Sequence, residues 1–92
     1  MVLDVTTVAT AACTLDVGID GDGTGSSDIL LDGLDVNAAA GVFDNIADKG
    51  TNGKERQRLD AKGGTTDYVT ASKASGATAG LVGNAYIFYY EV

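Results

Sequence analysis

The chain has no histidine, no proline, no tryptophan and one cysteine, and it sets six basic residues against thirteen acidic ones for a net charge of −7. Each shortage removes a class of function. Without histidine there is no Ser-His-Asp triad, no Cys-His pair and no usual zinc site. The surplus of negative charge repels phosphate backbones, which argues against nucleic-acid binding. Cys13 has no second cysteine to pair with, so a disulfide-stapled scaffold is excluded. It lies in an apolar stretch without a basic neighbour, where a thiol is buried and inert rather than reactive. No apolar run approaches the roughly 18–20 residues of a membrane span, and no basic-then-apolar signal region opens the chain. With 92 residues there is room for one domain. These absences describe a small acidic domain that is not an enzyme and needs no cofactor.

What is present reads mainly as β-structure. Residues 14–19 alternate strictly: Leu15, Val17 and Ile19 face one way, Asp16 and Gly18 the other, as in a half-buried strand. Residues 5–12 are rich in Val and Thr, which favour strands. The first twelve residues also leave room for an extended arm beside the domain. Seven small or polar residues, 21–27, predict a surface loop. Residues 28–34 predict a short helix: Asp28 is placed as an N-cap, Gly33 as a stop, and Ile29, Leu30, Leu31 and Leu34 as an apolar stripe. Residues 36–46 read as an irregular crossing or short strand. Asn52-Gly53 is a hairpin signal, followed by an exposed strand over 54–59 and a polar hairpin loop over 60–67. Residues 68–72 predict a strand and 73–78 a loop. The chain closes on an aromatic strand that is apolar on both faces, with Ala85, Ile87 and Tyr89 on one and Tyr86, Phe88 and Tyr90 on the other. Five of the six aromatics lie between Tyr68 and Tyr90. This strand is therefore expected both to anchor the core and to touch another subunit. The pattern predicts an antiparallel β-sandwich or small barrel with one short helix.

Three constellations suggest chemistry. Counted from Asp20, the loop places Asp, Asp, Thr and Gly at positions one, three, five and six and Asp28 at nine, like the start of a calcium loop. The twelfth position is Leu31 instead of a bidentate Glu, which favours a loop that needs no ion. Charge is divided along the chain: residues 16–48 carry eight aspartates and no Lys or Arg, while residues 49–73 hold all six basic residues. The basic stretch Lys54, Arg56 and Arg58 is a candidate docking edge for an acidic partner, against the alternative of two solvated faces. A carboxylate pair such as Asp32 with Asp35 lacks the cleft that a glycosidase needs.

Residues 68–90 close with a strand ending in Thr70-Ala71-Ser72, a Gly/Ala/Ser loop, then Ala79-Gly80-Leu81-Val82-Gly83 and an aromatic strand. This ending resembles that of small head proteins of tailed bacteriophages. Residues 14–19 and 28–34 fit the same pattern, so the likeness runs from about Val5 to the end. It implies a jelly-roll-like or β-sandwich capsid decoration (cement) protein that sits on the outside of the virion capsid. The implied partners are the major capsid protein and copies of itself, as a homotrimer, with no nucleic acid and no membrane. The candidate interface is Lys54, Arg56, Arg58, Tyr86, Phe88, Tyr90 and Val92. The rival expectation is a receptor- or glycan-binding module of a tail fibre or bacterial surface protein.

Overall fold

Alternation and β-branched content are realised as six strands: β1 (Val2–Thr7), β2 (Cys13–Asp20), β3 (Leu31–Asp35), β4 (Gly41–Asp44), β5 (Tyr68–Gly76) and β6 (Val82–Tyr86). They are described by a computed structural model covering residues 1–20, 28–56 and 68–89. All pairings are antiparallel, and the strands form two three-stranded sheets ordered β4-β1-β6 and β3-β2-β5. The fold is mainly β and sandwich-like, as the pattern predicts. Within residues 1–12, Val2–Thr7 is β1, the middle strand of its sheet.

Three connections cross from one sheet to the other, and each is five residues long: 8–12, 36–40 and 77–81. They lie side by side at one end of the molecule. Ala9 N donates to Val36 O (2.9 Å), Val36 N to Cys13 O (3.1 Å) and Asn37 Nδ2 to Ala9 O (2.7 Å). On the other side, Thr10 N and Thr10 Oγ1 both donate to Ala79 O (2.9 and 3.1 Å). The sandwich is thus three arches in a row, β3/β4, β1/β2 and β5/β6, with the β1/β2 arch in the middle. Such side-by-side bonding satisfies backbone groups that a buried bend would otherwise leave unpaired.

The core fills two of these arches. Val5, Ala9, Cys13, Leu15, Val17, Leu30, Leu31, Leu34 and Val36 are buried, and Leu31 and Val36 are fully enclosed. Cys13 is a buried free thiol, as expected. In β2 the alternation holds, since Leu15 and Val17 point into the core.

Residues 28–34 are not a helix. Leu31 to Asp35 is β3, and its ladder with β2 pairs Leu15 with Leu34 and Val17 with Leu31. Two steps on β2 therefore face three steps on β3, which is a bulge. Gly33 takes up the extra residue at φ +75°, and its N–H donates to Asp16 Oδ1 (2.9 Å). The bulge turns both Leu31 and Leu34 inward, so a strand acquires the i, i+3 apolar spacing of a helix.

Other expectations shift at the edges. The strand expected over 68–72 continues to Gly76, so residues 73–76 belong to β5 and not to a loop. Of the strand expected over 54–59, residues 54–56 form no strand, and Lys54 N donates to Ile29 O (2.7 Å); residues 57–59 lie outside the described residues. The loop over 21–27, with it most of the candidate calcium loop, and the loop over 60–67 lie outside the described residues.

Candidate functional site

Residue pairing across a ladder fixes which side chains share a face. On β1, Leu3 and Val5 point inward; Leu3 is opposite Phe43 and Ala85, and Val5 is opposite Gly41 and Gly83. The inward face of β6 therefore consists of Gly83 and Ala85, two residues with almost no bulk. Across the sandwich, Val69, Ala71 and Lys73 of β5 pair with Ile19, Val17 and Leu15 and share their inward face. All three are exposed. The β5/β6 arch is consequently unfilled, and an open groove of about 240 Å³ runs beneath β6, lined by Leu3, Val5, Leu15, Leu81, Gly83, Asn84 and Ala85.

β6 is also a sheet edge. One side pairs with β1, and among the described residues the other side pairs with nothing. Gly83 allows the close β1–β6 approach, since a Cβ there would collide with the carbonyl oxygen of Asp4. Past Tyr86 the strand ends and the apolar sequence continues into solvent: Phe88 is 73% exposed and Tyr89 80%, with Tyr86 at 51%. The aromatic segment does not anchor the core. Its bulk lies beyond the end of the sandwich, where neither sheet reaches it.

The basic stretch sits at this same end. Val2 of β1 lies opposite both Asp44 and Tyr86, and Asn45 follows directly after Asp44. Asn45 is buried; its Oδ1 accepts from the Met1 ammonium (2.6 Å), and its Nδ2 donates to the carbonyls of Lys54 (2.7 Å) and Glu55 (2.8 Å). This one side chain ties the start of β1 to the backbone of the basic stretch. The Lys54 and Arg56 side chains remain exposed, and neither makes an ion pair among the described residues, where Lys49–Glu55 (3.0 Å) is the pair formed. Nearby, the turn after β4 is fastened by Asp44, whose Oδ1 accepts from Ala47 N (2.7 Å) and Ile46 N (2.8 Å). The Ala47 and Ile46 amides hold its carboxyl below the usual value.

The structure thus brings Lys54, Arg56, Tyr86 and Phe88 to one end of the molecule. Arg58, Tyr90 and Val92 lie outside the described residues. Sequence reading missed Asn45 and the groove. Asn45 carries no sequence signal beyond a polar residue between Phe43 and Ile46. The groove does carry one, since Gly83 and Ala85 alternate with Val82, Asn84 and Tyr86 and mark a strand face without bulk.

Among the described residues, no group of three or more Cys, Asp or Glu is placed to hold a metal ion. No helix there is long and apolar enough to cross a membrane. Among the described residues, this end carries an unpaired strand edge, exposed aromatic side chains and two cations without ion pairs. No protein-family model matches the chain, and no curated protein or solved structure is significantly similar to it.

Proposed function

We propose that this chain is a non-enzymatic virion structural protein, a decoration protein that binds the outer surface of a tailed-phage capsid as a homo-oligomer and stabilises the shell. The observation that carries the reading is the aromatic run 86–89 left in solvent beside a free strand edge. Large exposed apolar patches mark interaction surfaces, and an unpaired edge is a template for pairing with another chain. The resemblance of residues 68–90 to phage head proteins supplies the setting. A symmetric shell offers the same docking surface many times, so weak contacts add through avidity. Lys54 and Arg56, exposed and without an ion pair among the described residues, would meet acidic groups on that shell.

The test is co-sedimentation with tailed-phage capsids stripped of their outer proteins. Protein should pellet with the capsids and raise their resistance to heat, and K54E/R56E should pellet less at low salt. Protein that stays in the supernatant under all salt conditions would overturn the reading. The second reading, a receptor- or glycan-binding module, draws on Tyr68, Tyr86 and Tyr89, whose exposed rings are suited to stacking on sugars. Binding to a glycan array without capsid binding would favour it.

A further inference from the structure

We propose that the open β5/β6 groove is an acceptor site for the C-terminal segment of a second copy of this chain, with Phe88 as the inserted side chain. The inference rests on the self-association half of the reading above and is independent of the capsid.

Acceptor and donor are both present on the same chain, and among the described residues neither is satisfied by that chain alone. The acceptor is apolar where it counts: Leu3, Val5, Leu15 and Leu81 form its walls, and Gly83 and Ala85 leave the volume beneath β6 vacant. The two other arches are packed by Phe43, Leu31, Leu34 and Val17. The donor is the run Ile87, Phe88 and Tyr89, which follows β6 in the chain, with Phe88 and Tyr89 among the most exposed apolar residues described. Its backbone is free to add along the unpaired edge of β6 on a neighbour. In that mode of recognition, main-chain hydrogen bonds hold the strand while pockets receive alternate side chains. Charge agrees in sign. The open inward face of β5 carries one ionisable group, Lys73, without an ion pair among the described residues, and the sequence after Phe88 carries one, the acidic Glu91.

A second copy is the occupant because the donor is built into every chain. Each molecule gives its tail to the next and receives one in turn. This contact is heterologous, so it closes into a ring where the rotation permits.

Sedimentation equilibrium on two variants tests the contact. Phe88→Asp removes the donor at a residue that touches solvent in the single chain, and Ala85→Phe fills the acceptor from within. Both should keep the circular-dichroism spectrum of the parent and lose association by roughly thirty-fold or more, as a buried aromatic hot spot does. Mixed one to one, the variants should pair, because one retains the groove and the other the tail. A second readout is optical. The chain has no tryptophan, so Phe88→Trp gives a lone indole whose emission should shift to the blue as concentration rises, and should not shift when Ala85→Phe is added. A parent that stays monomeric, a Phe88→Asp variant with undiminished mass, or a mixture that remains monomeric would overturn the proposal. Capsid binding by a protein that fails these tests would leave the capsid-binding half of the decoration reading standing and remove this contact.

Discussion

Asp44 shows how a single side chain sets the geometry of an end of the molecule. Its carboxylate accepts from the amides of Ala47 and Ile46, which closes the turn after β4 and places Asn45 against the Met1 ammonium. Those amides favour the charged form, so the folded-state value lies below the unfolded one. A carboxylate lowered in this way contributes its full stability above the unfolded value, and the contribution fades as pH falls from about 4 through the folded value. An Asp44→Asn variant should therefore melt below the parent at pH 6, and the gap should narrow as pH falls below about 4. Thermal melts at half-unit pH intervals measure it. A gap that stays constant across the range would mean that the substitution acts through packing and not through charge.

At the scale of elements, burial and hydrophobicity part company. The longest unbroken apolar run in the sequence is the closing one, residues 85–90, yet the core belongs to β1, β2 and β3, whose side chains are aliphatic and smaller. Removing Leu31, fully enclosed between the sheets, should cost about 2–5 kcal/mol as Leu31→Ala, because burial is lost and a cavity remains. Ending the chain after Tyr86 should leave the melting temperature of a dilute sample nearly unchanged, since Ile87, Phe88 and Tyr89, the described residues among those removed, are exposed. Parallel urea titrations compare the two. A truncated chain that unfolds would return the aromatic segment to the core. The same elements show what was legible. Strict alternation marked β2, because a strand with one buried face must alternate. β3 was misread because the Gly33 bulge gives a strand the apolar spacing of a helix turn, and one residue's φ is not written in hydrophobic periodicity. The aromatic segment was misplaced for a different reason. Sequence states that a surface must be buried without stating whose surface buries it.

For the whole molecule, the three-arch plan explains why self-association and stability should be linked. Two arches are packed and the third is open, so a lone chain exposes Val69, Ala71 and the groove under β6, together with the aromatics 86–89. A domain of this size buries a limited share of its surface, which leaves its stability marginal when alone. A partner that binds the folded form and not the unfolded one raises stability by mass action, in proportion to the logarithm of its concentration over Kd. The melting temperature of the parent protein should therefore climb with protein concentration, and that of Phe88→Asp should not. Salt separates the forces behind the climb. Shortening the Debye length from about 10 Å to about 3 Å, between 0.1 and 1 M salt, screens exposed charges such as Lys54, Arg56 and Lys73. Burial of Phe88 does not depend on that screening. The concentration dependence should persist at 1 M salt in scanning calorimetry from micromolar to millimolar protein. A slope that vanishes there would assign the contact to charge and leave the groove without an occupant.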